Sequence, residues 1–180
     1  MKTALVLIDI QNDYFPGGNM ELVGIENAAT KAQKILQRFR DQKAPIFHIQ
    51  HISAHPQSKF MLPNTKGVEI NEKVAAGPGE PVIEKYFPSC FRDTSLLEQL
   101  KNQKIKELVI CGAMSHMCID TSVRAAFDLG FSCTVIEDAC ATRDLQFKEE
   151  SIEASKVHAA FMSALSFPFA KVVSTDTYLK

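Results

Sequence analysis

Three residues of different chemistry stand where apolar runs give out. Asp9 follows Ala4-Leu5-Val6-Leu7-Ile8, and Lys85 closes Pro81-Val82-Ile83-Glu84-Lys85. Cys118 lies beyond Glu107-Leu108-Val109-Ile110-Cys111-Gly112, in the turn that opens an amphipathic stretch. A carboxylate, an ammonium and a thiol in one crevice make an activated nucleophile. The ammonium, and the positive peptide dipoles of a helix N-terminus, lower a thiol's pKa and favour the thiolate. The aspartate can shuttle the proton. Backbone N–H groups in the turn before the helix can hold a developing oxyanion. Each residue alone also has a plainer reading: Asp9 as a strand-end cap, Lys85 as a solvated charge, Cys118 as a small buried hydrophobe. The positions are far apart in sequence, so only a fold can join them.

The elements that would join them are legible. Ala4–Ile8 reads as a strand buried on both faces. Ile25, Ala28, Ala29, Ala32, Ile35, Leu36 and Phe39 recur at helical spacing. Pro45–Ile49 is a second strand, Pro81–Lys85 a third and Glu107–Gly112 a fourth. Asp93 or Thr94 caps a helix carrying Leu96, Leu97 and Leu100. A helix from about Met117 to Leu129 carries Ile119, Val123, Ala126 and Phe127, with Gly130 at its end. Phe131–Ile136 is a fifth strand, residues 147–164 a last helix, and Lys171–Ser174 a sixth strand. Between them, 52–81 carries Pro56, Pro63, Gly67, Pro78, Gly79 and Pro81 and reads as a surface excursion that forms a lid or binding wall.

This alternation predicts an α/β fold of three α/β/α layers, with a six-stranded parallel sheet in the Rossmann-like order 3-2-1-4-5-6. The chain of 180 residues reads as a single domain, 1–180. Strands 1 and 4 are then neighbours at the switch point, where ligands bind beyond the strand ends. The ends of strands 1, 3 and 4 carry Asp9, Lys85 and Cys118.

Composition narrows the chemistry further. Hydrophobic residues make up 46% and charged residues 23%, which excludes a disordered or collagen-like chain. The formal charge of −1 gives no broad positive field, so no nucleic-acid or membrane-surface role is expected. Five cysteines without CxxC spacing argue against a disulfide framework or a zinc ribbon and for a reducing cytoplasm. The apolar run before Asp9 is too short for a signal segment, and no stretch reaches transmembrane length. Gly17-Gly18 matches neither dinucleotide nor P-loop spacing, and no GxSxG elbow is present.

Three segments carry a more specific resemblance. Leu7-Ile8-Asp9-Ile10-Gln11-Asn12-Asp13-Tyr14-Phe15 resembles the opening motif of the isochorismatase-like cysteine hydrolases, relatives of nicotinamidase and N-carbamoylsarcosine amidase. Lys85-Tyr86-Phe87-Pro88-Ser89-Cys90-Phe91, with Thr94 and Leu97, resembles their K-x(3)-S-x-F-x(2)-T-x(2)-L segment. Gly112-Ala113-Met114-Ser115-His116-Met117-Cys118-Ile119 resembles their G-x(2)-[ST]-x(2)-C-[VI] segment. The resemblance implies a catalytic triad of Asp9, Lys85 and Cys118. It implies a cis peptide between Ala113 and Met114, with the Met114 and Cys118 N–H groups as the oxyanion hole. It also implies hydrolysis of an amide, carbamoyl or ureido C–N bond through an acyl-enzyme, and a homo-oligomer, dimer or tetramer. The alternatives are a vinyl-ether hydrolase of the isochorismatase type, or a retired enzyme that only binds a small molecule.

The expected partner is a small-molecule substrate. Tyr14, Phe15 and His116 are expected to line its pocket, with Phe60 and Met61 as a lid. Nicotinamidases carry an Asp-x-His metal pair, but here the stretch reads Gln50-His51-Ile52-Ser53-Ala54-His55. No metal or cofactor is expected, and His51 and His55 are the only candidate ligands. His48 and His158 read as structural, and Ser115 and Thr142 as partners for backbone or substrate.

Overall fold

The apolar run near the start of the chain becomes the middle of a sheet. β1 (Thr3–Ile8) lies between β2 (Ile46–His51) and β4 (Glu107–Ala113), parallel to both. With β3 (Val82–Lys85), β5 (Ser132–Ala141) and β8 (Lys171–Val173), the order is β3-β2-β1-β4-β5-β8. Counting only the strands of this sheet, that is 3-2-1-4-5-6. The computed structural model describes residues 2–55 and 57–180; Pro56, among the chain breakers of the excursion, lies outside them.

Helices cover both faces. α1 (Ile25–Asp41) buries Ile25, Ala28, Ala29, Ala32, Ile35, Leu36 and Phe39, the stripe read from spacing. Each of its large apolar side chains contributes about 1.5–3 kcal/mol by leaving water. α1 packs with α5 (Thr175–Tyr178), where Phe39 and Tyr178 stack. α3 (Asp120–Asp128) packs with α4 (Ala154–Leu165), and α2 (Leu96–Asn102) buries Leu96 and Leu100. No helix among the described residues is long and apolar enough to cross a membrane.

Two expectations are corrected. Residues 147–153 do not begin the last helix. β6 (Leu145–Phe147) and β7 (Glu150–Ile152) form an antiparallel hairpin outside the main sheet, and α4 starts at Ala154. Lys148, at a positive φ of 54°, makes the hairpin turn, which a helix would not tolerate. The fifth strand also runs on to Ala141, because Gly112 and Ala113 of β4 pair with Cys140 and Ala141 after a register irregularity.

The excursion is packed rather than loose. Gln11 holds the end of β2, accepting from His51 N at 2.8 Å and donating to His51 O at 2.8 Å. The same amide donates to Val68 O in the excursion at 2.7 Å. Asp13 is a buried carboxylate that accepts from Asn19 N at 3.1 Å, Asn19 Nδ2 at 3.0 Å and Met61 N. Gly67 sits against that carboxylate, where a Cβ would collide with it. At the far end, Glu80 takes Arg40 Nε at 2.7 Å, Arg40 Nη2 at 2.8 Å, Gly77 N at 2.8 Å and buried His48 Nε2 at 2.8 Å. The Arg40 guanidinium, above all, holds the Glu80 carboxyl down at about 2.

Two consequences are measurable. Asp13→Ala strands the Met61 and Asn19 donors; we expect a loss of about 2–4 kcal/mol in urea denaturation and faster proteolysis within 52–80. Glu80→Gln is expected to cost about 1–3 kcal/mol at pH 7. An unfolded glutamate titrates near 4.3, above the folded value. The wild-type advantage is therefore complete above that pH and fades as pH falls towards 2. Denaturation at pH 7 and pH 3 reads the difference.

Candidate active site

β3, β2, β1 and β4 end at one edge of the sheet, and the three chemical groups from the ends of β3, β1 and β4 meet there. Asp9 follows β1 in the left-handed region at φ 53°, a conformation aspartate adopts more readily than most residues. Lys85 is the last residue of β3. β4 ends in Gly112-Ala113, and the Ala113–Met114 peptide is cis. Gly112 has φ 129°, and a Cβ there would run into the Ile8 carbonyl, so glycine permits β1 and β4 to close up beside Asp9. Cys118 sits in a wide turn, Ser115–Ile119, closed by an Ile119 N to Met114 O bond of 3.2 Å, just ahead of α3.

Lys85 is the hub. Its ammonium is fully buried, 2.8 Å from Asp9 Oδ2 and 3.2 Å from Cys118 Sγ. It also reaches Phe87 O at 3.1 Å and His51 Nδ1 at 3.2 Å. An ammonium has three N–H donors. The sulfur, the carbonyl and the imidazole lie in hydrogen-bonding geometry to it, while Asp9 Oδ2 is held as an ion-pair contact. Both Asp9 oxygens are buried and accept no hydrogen bond among the described residues. Asp9 is thus neutralised by charge without being occupied by donors.

Protonation states follow from this packing. Burial works against the Lys85 charge, but Asp9 and Cys118 outweigh it and its pKa is raised. Burial first, and then the Lys85 cation, push the His51 pKa down, so the ring is neutral near pH 7. Cys118 departs from expectation. Burial first, and then the Asp9 charge, push the thiol up, and Lys85 only partly opposes them. The resting sulfur is therefore a thiol, not a free thiolate.

The sulfur opens on a pocket of about 670 Å³. Tyr14, Phe60, Tyr86, Met114 and Met117 give it mainly apolar walls, and His51, Ser53 and His55 its polar ones. Tyr14 is where the sequence suggests. Burial, and then Asp9, push its hydroxyl pKa well up, so it remains a neutral phenol. Phe60 lines the pocket, whereas Met61 is buried in the core.

Phe15 and His116 are corrections, because neither lines this pocket. Phe15 packs into the core. His116 turns to the other side of its loop, with Nδ1 2.6 Å from Thr142 Oγ1 and its ring against Phe161. Ser115 is buried, 2.8 Å from His158 Nδ1 and 3.3 Å from Ala141 O. The residues missed by sequence reasoning are Tyr86, Met117 and the Phe87 carbonyl. A backbone acceptor leaves no signal in side-chain types.

His51 and His55 both line the pocket, and each has its Nδ1 engaged by a protein partner. His51 Nδ1 is committed to Lys85, and His55 Nδ1 accepts from Gln57 N at 3.2 Å. Among the described residues no three His, Cys, Asp or Glu side chains are grouped to hold a metal ion. An ammonium 3.2 Å from His51 also opposes a second cation there.

Known proteins share this arrangement of elements. The Isochorismatase domain family matches residues 3–175. YddQ, an isochorismatase family protein of Bacillus subtilis, is 50% identical over 180 residues, covering 100% of both chains. Nicotinamidase 3 of Arabidopsis thaliana is 30% identical, covering 96% of this chain and 85% of its own. A crystal structure from Oleispira antarctica, assigned as an isochorismatase hydrolase, superposes with a TM-score of 0.95 at 49% identity, covering 99% of this chain and 96% of that one. The chain belongs to the isochorismatase family of hydrolases.

Proposed function

We propose that this hydrolase cleaves the C–N bond of a small amide, carbamoyl or ureido compound, with Cys118 as nucleophile, Asp9 as proton carrier and Lys85 as charge anchor. The observation that carries the reading is the buried Asp9 carboxylate, free of hydrogen-bond donors and beside a thiol that faces a pocket. The similarity to a protein named a nicotinamidase favours an amide over an ether.

Chemistry follows from proton affinities. Asp9 takes the thiol proton as Cys118 Sγ attacks the carbonyl carbon and the C=O electrons move to oxygen. Lys85 stays an ammonium and stabilises the sulfur as it becomes anionic. The Met114 and Cys118 N–H groups receive the oxyanion. Its collapse breaks the C–N bond, and protonated Asp9 gives its proton to the leaving nitrogen. A thioester remains on Cys118. Water then adds to it, losing a proton to Asp9. Release of the acid returns the sulfur as a thiol and Asp9 as a carboxylate. Because Asp9 must begin ionised and the thiol protonated, the high thiol pKa suits the cycle: the proton moves only when the carbonyl is in place.

Ammonia release across a panel of small amides and ureido compounds tests this. Cys118→Ala is expected to lower turnover about 1,000-fold or more while its circular dichroism and melting curve stay close to wild type. Amide hydrolysis unchanged in Cys118→Ala overturns the proposal. Turnover confined to a vinyl ether, and surviving the substitution, points to the ether hydrolase instead.

A further inference from the structure

We propose that His51 is a positioning residue of this site, its Nδ1 lone pair holding one Lys85 N–H away from Asp9 so that the carboxylate stays open to the thiol proton. The inference rests on the Cys118–Asp9 reading above, but it concerns a residue outside that triad. His51 is neither nucleophile nor proton carrier; it acts through Lys85.

The donors and acceptors around Lys85 can be counted. Lysine has three N–H groups and no acceptor. Phe87 O and Cys118 Sγ take two of them, and His51 Nδ1 takes the third. Since Lys85 can only donate, Nδ1 must accept, and the neutral ring carries its proton on Nε2. Asp9 Oδ2 at 2.8 Å is the nearest atom to the ammonium, yet it receives no directed bond. Without an acceptor at position 51, the freed N–H has Asp9 within reach. A carboxylate bonded by an ammonium is a weaker base. The rotation that makes that bond also pulls Nζ off the sulfur.

His51 is itself held. Gln11 clamps both its N–H and its C=O, so the ring leaves β2 in a set direction. Around it are Lys85 from β3, Asp9 from β1 and Cys118 from the turn before α3, with Tyr14 and His55 on the same pocket wall. Protonation of His51 removes the lone pair and adds a cation beside Lys85. Falling pH therefore has the same effect as deleting the acceptor.

The test needs no substrate. Iodoacetamide alkylation of Cys118 is followed by peptide mass spectrometry from about pH 4 to about pH 9, which separates this thiol from the other four. His51→Leu removes the acceptor, while His51→Asn keeps an amide oxygen near the Nδ1 position without a titrating ring. We expect His51→Leu to slow alkylation about 10-fold at neutral pH, and His51→Asn to stay within about 3-fold of wild type. The acid limb of the wild-type profile is expected to move to lower pH in His51→Asn. Should His51→Leu fail to fold, His51→Ala is assayed with and without imidazole, which restores the rate if the acceptor is what matters. Labelling of the Leu variant at the wild-type rate, or of the Asn variant as slowly as the Leu one, overturns the inference. The two proposals fail separately. An active Cys118→Ala enzyme removes the catalytic reading and leaves the labelling pattern standing, whereas labelling indifferent to residue 51 removes only the role of His51.

Discussion

A fully buried lysine ammonium faces four acceptors with three N–H groups, and the rest of the site follows from that mismatch. An unpaired ammonium would not survive this burial. Asp9 is therefore obligatory as a counter-charge, whatever else it does. Yet the directed bonds go to sulfur, carbonyl and imidazole. The carboxylate keeps its charge balance and its lone pairs at once. A proton acceptor in a buried site needs both.

Much of the surrounding chain serves to hold that cluster. Gly112 lets two strand ends close together where any side chain would keep them apart. Gln11 and Asp13 follow the same strand end as Asp9, and each holds the excursion, Gln11 through Val68 O and Asp13 through Met61 N. The segment that brings Phe60 to the pocket is thus fastened within a few residues of Asp9. Wall and chemistry share one strand end, so the pocket cannot shift far without disturbing Asp9.

The sheet was readable because its signals are local: uninterrupted apolar runs, a 3.6-residue stripe in α1, and glycine where β4 stops. Asp9, Lys85 and Cys118 could be proposed because parallel α/β sheets collect ligands at strand ends. The hairpin at 145–152 escaped because Lys148-Glu149-Glu150 has no turn glycine and continues the polar face of a helical pattern. Phe15 and His116 were misplaced for a different reason. Each adjoins a pocket residue in sequence, but neighbours in a turn point to opposite sides. The thiol pKa lies on the opposite side of its ordinary value from the one a helix end suggests. A helix end contributes about 0.3–1 kcal/mol, less than one pH unit, while full burial can shift a pKa by about 3–5. Sequence shows the helix end but not the depth of burial or the carboxylate beside the sulfur.

In the proposed mechanism an elevated thiol pKa beside a buried carboxylate gives a nucleophile that is quiet until a carbonyl arrives, in a pocket whose walls are largely apolar. The decisive species of the proposed reaction is a thioester on Cys118. Acid quenching during turnover of the amide that releases ammonia fastest, followed by peptide mass spectrometry, looks for it directly. The account predicts the acyl mass of the substrate on the peptide carrying Cys118. Steady hydrolysis with that peptide unmodified, or the acyl mass on another residue, contradicts it.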